Sequence, residues 1–149
     1  MYHMRLTTGL LADAAAVENG KLFVHGGGWD RITVAQLPAI HPSLALVLVF
    51  QVEYDEALRD LDVTIDLVDE DQQPSGVHIT GVLNVGHAPR TKRGAPTFVP
   101  QAITIQQLEL GHAGRFRFRI TSSGEELGNV PFEVHHQPSF DAAPPAKEV

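Results

Sequence analysis

The sequence predicts an all-β protein, a single antiparallel β-sandwich of about eight strands. Apolar and polar residues alternate along much of the chain, which is typical of half-buried strands. Clusters of glycine, proline, asparagine and serine interrupt these segments about every 8–12 residues, as they do in β-sandwiches. Greek-key and meander strand orders both fit this pattern, and a small barrel is the alternative architecture.

The individual elements follow from this alternation and from the turn residues between them. Asn19-Gly20 is a strong turn signal, and the segments 37–43 and 86–100, which contain prolines, are predicted loops. Residues 115–121, with the sequence RFRFRIT, show the most regular alternation in the chain. The predicted strands cover Leu6–Ala12, Lys21–Gly27, Trp29–Val34, Leu44–Tyr54, Leu61–Val68, Val77–Val85, Ala102–Leu110, Arg115–Thr121 and Leu127–His135.

The length of 149 residues is sufficient for one domain with a hydrophobic core. We assign residues 1–136 to the sandwich and residues 137–149, where the strand pattern is lost, to a C-terminal tail. We expect this tail to dock on its own domain or on a neighbouring subunit. Asp13 interrupts the apolar residues near the N-terminus before they reach the length of a signal peptide, so we expect a cytoplasmic protein.

Composition excludes several kinds of chemistry. The chain contains no cysteine, so disulfides, thiolate metal sites and cysteine nucleophiles are excluded. The net charge of −7 argues against bulk binding to nucleic acid or to an anionic membrane. The most apolar run, residues 43–52, has the length of a strand and is too short to span a membrane as a helix.

The segment His25-Gly26-Gly27-Gly28 has the sequence of the oxyanion-hole motif of lipases and esterases. These enzymes also need a serine in the pattern G-x-S-x-G, and none of the five serines stands in that context. No GK[ST] follows the glycines, so they do not form a phosphate-binding loop either. The segment is therefore interpreted as a bulge or bend between strands, with Trp29 as an anchor in the core or at the sheet end.

Histidines and carboxylates do not form a predicted metal site. The eight histidines lack the H-x-H and H-E-x-x-H spacings, and the neighbours His135 and His136 point to opposite faces of a strand. Nine carboxylates lie between Glu53 and Asp71, but the two richest loops bracket one strand and so lie at opposite ends of the sheet. We expect no metal, no cofactor and no catalytic residue.

Two groups of basic residues contrast with the acidic background. Ion pairs with carboxylates on neighbouring strands, such as Asp62 and Asp66, explain an arginine-lined strand face. The same face could instead contact an acidic protein partner, including a second copy of the chain. Nucleic acid is disfavoured because the alternating phenylalanines face the core and cannot stack on bases. The possible partner-contact residues are Arg115, Arg117 and Arg119 on one strand face and Arg90, Lys92 and Arg93 in the long loop.

The segment LTTGLLADAAAVENGKLFVHGGGWDRITVAQLPA, residues 6–39, carries a family resemblance. Together with LALVLVF (44–50) and DVTIDLVDEDQQP (62–74), it resembles a family of small bacterial β-rich proteins known only as a domain of unknown function. The resemblance implies a compact β-rich domain and transfers no catalytic residue.

Two functional hypotheses remain. The first is a non-enzymatic interaction or assembly module that associates with itself, because no catalytic set converges and acidic and basic surfaces are both present. The alternative is a small-ligand-binding protein or an unrecognised enzyme. Its pocket would lie near residues 25–29 and 86–100, with His25, Trp29 and Arg90 in its lining, because long loops often carry function.

Overall fold

Two β-sheets packed together form the protein, as seen in a computed structural model that describes residues 4–86 and 92–139. One of the two sheets is a half-barrel. The predicted all-β sandwich is therefore confirmed. Arg90 of the predicted basic group and residues 140–149 of the predicted tail lie outside the described residues.

Nine strands make up the described chain, together with one turn of 3-10 helix at Tyr54–Glu56. The strand order is β2-β1-β4-β7 in the four-stranded sheet and β3-β9-β8-β5-β6 in the five-stranded sheet. The strands are β1 (Arg5–Glu18), β2 (Lys21–Trp29), β3 (Arg31–Val34), β4 (Ala39–Val52), β5 (Asp60–Asp69), β6 (Pro74–Asn84), β7 (Thr97–Leu110), β8 (Gly114–Ser122) and β9 (Glu125–His136).

The strand order excludes the meander, one of the two topologies that the sequence left open. Among the strands of the described residues, only β1–β2, β5–β6 and β8–β9 are consecutive neighbours in one sheet, and each other pair of consecutive strands lies in different sheets, so the order is not a simple meander. One pair also departs from the antiparallel expectation, because β3 runs parallel to β9. The chain passes from Trp29 to Arg31 without reversing, and the Asp30 carbonyl accepts a hydrogen bond from the Glu133 amide at 2.8 Å.

Several predicted boundaries are corrected. The first strand, predicted to end at Ala12, continues to Glu18, and most of the predicted loop 37–43 belongs to β4. β7 begins at Thr97, inside the predicted loop 86–100, and β6 begins at Pro74, three residues before the predicted start. Pro42 is tolerated inside β4 because β1 pairs with β4 only as far as Ala45. On that side the first part of β4 is an edge, where the missing amide hydrogen of a proline costs no ladder hydrogen bond.

The core lies between the sheets. On β4, Leu44, Leu46, Leu48 and Phe50 are all fully buried, so this strand is central as its apolar sequence indicates. Aromatic rings from β8 and β9 form the opposite wall, and Phe116–Phe132 and Phe118–Phe132 stack with centroids 5.6 Å apart. The alternation of residues 115–121 is confirmed, because the phenylalanines are buried and the arginines point outward.

Candidate functional site

The glycine step, Gly26–Gly28, was expected between two strands but lies inside β2, opposite Asp13 of β1. Gly26 and Gly28 have φ values of +62° and +91°, a backbone region that favours glycine. The pairing of β1 with β2 shifts register opposite them. A Cβ on Gly26 would overlap the Asp13 carboxylate, and Asp13 Oδ1 accepts a hydrogen bond from Trp29 Nε1 at 3.1 Å. The glycines therefore make room for a side-chain bond between the strands.

His41 at the start of β4 adjoins this corner. Its ring centroid is 6.1 Å from that of Trp29, with the planes inclined at 57°. Burial lowers the pKa of His41, and this effect is opposed by a hydrogen bond with the Ser43 backbone and by the charge of Asp13. Asp13, Trp29 and His41 thus form a linked corner in which a neutral imidazole is favoured.

A two-stranded extension projects beyond the four-stranded sheet. In the described chain β1 pairs with β4 only up to Ala12, and residues 14–18 pair with β2 alone. We call residues 13–25 the ribbon. Phe23, Val24 and Val17 on it expose 56%, 43% and 38% of their surface. Because an isolated two-stranded hairpin is marginally stable in water, exposed apolar residues here indicate a contact surface.

The arginine face of β8 is paired within the chain. Arg115 Nε lies 3.4 Å from Glu133, and Arg119 lies 3.9 Å from Asp66 on β5, one of the two predicted carboxylate partners. Arg117 lies 3.2 Å from Glu126 on β9 and donates to Gln72 at 2.6 Å.

Asp62, the other predicted partner, has a different role. It accepts hydrogen bonds from the backbone and hydroxyl of Ser123. Lys92 and Arg93 are exposed in a turn closed by the Ala95 amide and the Lys92 carbonyl at 2.9 Å. The structure thus places the described basic residues in two separate regions of the chain, and only those of β8 are engaged by the ion pairs described above.

A cavity of about 710 Å³ opens at one end of the sandwich. We call it the end cleft. Its walls come from the segment before β4, the β5–β6 turn and the β7–β8 turn, so residues distant in sequence meet there. None of residues 25–29 lines it. The lining residues are Pro38, Ala39, Ile40, Asp69, Pro74, Ser75, Gly76, Glu109, Leu110, Gly111, His112 and Phe116.

The polar groups of the end cleft centre on Asp69 and His112. Asp69 Oδ1 accepts from the backbone N–H groups of Asp71 and Gln73 at 2.9 and 3.0 Å. The Gln73 bond is the largest cause that lowers the pKa of Asp69. The second oxygen, Oδ2, lies 3.6 Å from His112 Nε2. The His112 ring stacks on Phe116 at 5.0 Å, with Nδ1 2.8 Å from the Ala113 carbonyl.

Within residues 4–86 and 92–139, no group of three or more histidine, cysteine, aspartate or glutamate side chains is placed to hold a metal ion. In the same part of the chain, no helix is long and apolar enough to cross a membrane.

The family model of a family of unknown function, DUF6941, matches residues 7–135. The chain belongs to this family. The resemblance inferred from residues 6–39 is therefore confirmed, and DUF6941 carries no assigned activity. No curated protein matches the sequence. Among solved structures, Pseudomonas fluorescens alkylpurine DNA glycosylase AlkC, bound to DNA containing an abasic site analog, is 13% identical with a TM-score of 0.43. The match covers 89% of this chain and 30% of that chain.

In this DUF6941 domain, the predicted pocket residues do not lie where the end cleft opens. His25 is exposed on the ribbon, in a shallow depression with Phe23 and Val24, and Trp29 packs against the core. Arg90, the third residue of that predicted pocket, lies outside the described residues. Sequence reasoning missed the end cleft, and the only signals near it were the turn residues of the segments 69–76 and 111–114.

Proposed function

We propose that the protein is a non-enzymatic interaction module that associates with a second copy of itself through the ribbon. The observation that carries this proposal is the exposure of Phe23 and Val24, 56% and 43%, on a strand whose outer edge is unpaired in the described chain. Burying such side chains contributes about 1.5–3 kcal/mol each, so a contact that covers the ribbon would be stabilised on both copies.

The other sheet edges are short or interrupted along their length, whereas the interruptions of β2, Gly26–Gly28 and the register shift beside them, lie outside the ribbon. Edge strands of natural proteins are shortened or interrupted by proline, glycine and bulges, which prevents pairing with another chain. β3 has four residues, β7 carries Pro100 and a positive φ at Gln107, and β6 contains Pro74 and two glycines. On β2 the stretch Leu22–His25 contains neither proline nor glycine.

A second copy fits this edge because two antiparallel β2 strands are self-complementary about a two-fold axis. Directly opposite side chains of antiparallel strands lie on the same face of a sheet, so the two-fold axis must pass at a residue of β2 and not between two residues. With the axis at Val24, this residue faces its counterpart in the other copy, and Phe23 of one copy is opposite His25 of the other.

The arginine face of β8 is a less suitable contact surface than the ribbon. Arg115, Arg117 and Arg119 already lie near carboxylates of their own chain, so an acidic partner would have to displace those contacts. A contact made by the ribbon is mainly apolar, and it should persist at high salt. A contact made by the arginines would weaken as salt screens the charges.

Light scattering over a range of protein concentrations, at low and high salt, tests the proposal. We expect a dimer whose dissociation constant rises by about a hundredfold with Phe23→Ser, because the lost burial of about 1.5 kcal/mol counts once on each copy. Phe98→Ser is the matched control, since Phe98 is 59% exposed on the opposite edge strand β7. Arg115→Glu controls for the arginine face.

Cysteine cross-linking supplies an independent measurement. The chain has no cysteine, so Val24→Cys introduces a single thiol, and facing strands bring Cα atoms within disulfide range. Mild oxidation should trap a covalent dimer of Val24→Cys and leave Phe98→Cys uncoupled. A wild-type protein that stays monomeric at all concentrations, or a dimer equally sensitive to both phenylalanine substitutions, would refute the proposal.

A further inference from the structure

We propose that the end cleft is a binding site for a small organic cation that carries a flat aromatic ring. This site shares no residue with the ribbon and does not depend on self-association. Its volume of about 710 Å³ falls within the roughly 300–1,000 Å³ of small-molecule sites. Such sites combine an apolar lining with a few converging polar groups, and both features are present here.

The apolar part of the end cleft is rigid because it belongs to the core. Leu110 and Phe116 are buried, at 0% and 4% exposure, and Phe116 stacks on Phe132. Pro38, just before β4, and Pro74, the first residue of β6, also line the end cleft. A ligand ring could therefore be covered without ordering a mobile segment, which lowers the entropic cost of binding.

The imidazole of His112 is the outermost of a row of stacked aromatic rings that ends at the end cleft. His112 stacks on Phe116 with an interplanar angle of 29°, and Phe116, Phe132 and Phe118 continue the row inward. The His112 side chain remains 51% exposed, so a ring face is available on the side away from Phe116. A flat ring in the cleft would extend this row by one member, in the stacked geometry that aromatic pairs favour.

Two carboxylates give the end cleft its preference for a cation. Asp69 uses Oδ1 for the Asp71 and Gln73 amides, and its Oδ2 lies 3.6 Å from His112 Nε2, so a ligand cation would share Oδ2 with the imidazole. The second carboxylate, Glu109 on β7, is exposed and pairs with Ile40 of β4. An ammonium or guanidinium group on the ligand could form charge-assisted hydrogen bonds with either carboxylate.

The experiment compares three probes of one shape and different charge: tryptamine, the neutral alcohol tryptophol and the anion indole-3-propionate. Binding is followed by amide chemical shifts of ¹⁵N-labelled protein. We expect tryptamine to bind about tenfold more tightly than tryptophol, because a hydrogen bond to a charged group is the stronger one. The shifted amides should be those of Gly76, Gly111 and His112.

Variants separate charge from stacking. The double variant Asp69→Asn/Glu109→Gln should bring tryptamine to the affinity of tryptophol, because either carboxylate alone can pair with the ammonium group. The asparagine retains the oxygen that accepts from the two amides. His112→Leu should weaken both probes alike because it removes the flat ring. The control is Glu125→Gln, at the β8–β9 turn, which should leave the preference for tryptamine unchanged.

Three outcomes overturn the proposal. The first is equal affinity of the amine and the alcohol, which would mean an apolar cleft without charge selectivity. The second is binding that maps to residues outside the end cleft. The third is no binding of tryptamine in the low millimolar range by a protein whose spectrum shows it folded. Phe23→Ser should leave tryptamine binding intact, so this variant distinguishes a failure of the proposed self-association from a failure of the proposed binding site.

Discussion

Replacing Gly26 by alanine should destabilise the protein through one identifiable contact. The residue has φ +62°, which costs a non-glycine residue about 1–2 kcal/mol. Its new Cβ would also lie 2.8 Å from Cγ of Asp13, so that carboxylate must move and release Trp29 Nε1. The hydrogen bond is exposed and contributes about 1 kcal/mol, so the total loss is about 2–3 kcal/mol.

Gly28 provides the matched control for this prediction. It has φ +91°, and a Cβ built there meets nothing within 4 Å. Gly28→Ala should therefore lose only the backbone contribution of about 1–2 kcal/mol. The double variant Asp13→Ala/Gly26→Ala tests the contact itself, because removing the carboxylate removes the overlap and the two losses should not add.

Urea denaturation followed by the fluorescence of Trp29, the only tryptophan, measures all of these free energies. In thermal unfolding the Gly26→Ala loss should correspond to about 4–12 °C, at roughly 2–4 °C per kcal/mol. Equal losses for Gly26→Ala and Gly28→Ala would refute the role of Asp13. So would a double variant that loses the sum of the two single substitutions.

The remaining predictions concern the core and the response to acid. Phe118→Ala should lose about 3–5 kcal/mol in urea, because the fully buried ring stacks on Phe132; a loss below about 1 kcal/mol would contradict this packing. The Ser123 backbone hydrogen bond lowers the pKa of Asp62 from 3.8, so its contribution is present above pH 3.8 and lost as pH falls through the folded value. Asp62→Asn should reduce this acid sensitivity in pH-dependent unfolding. Burial lowers the pKa of His41 from 6.5, so stability should decline as pH falls below 6.5, and His41→Gln should remove this part of the decline.

The elements that local pattern determines were predictable from the sequence. In residues 61–68 and 115–121 the period-two alternation identifies both the strand and its buried face, because adjacent side chains of a strand point to opposite sides. Leu67 and Phe118 are buried as that alternation requires. The family resemblance likewise rested on strands and turns close together in sequence, and the family match includes them.

Features that depend on distant partners were not predictable in the same way. Whether a proline interrupts a strand depends on which neighbour needs its amide, and Pro42 lies where β1 has already diverged from β4. The parallel pairing of β3 depends on the position of β9, about a hundred residues later in the chain. The end cleft needs three segments that no single stretch of sequence contains, so its residues could not be grouped in advance.

The segment HGGGW shows how a motif takes its meaning from the strand beside it. Its glycines were interpreted as a bend from the absence of a serine motif, and the sequence contained no sign of which residue they accommodate. Asp13 on β1 is that residue, and the register shift between Leu11 and Ala12 lies where β1 leaves β4. Because bulges increase local strand twist, we infer that the same glycines direct the ribbon away from the sheet. The architectural role of the glycine step and the proposed contact of Phe23 are then two consequences of one local irregularity.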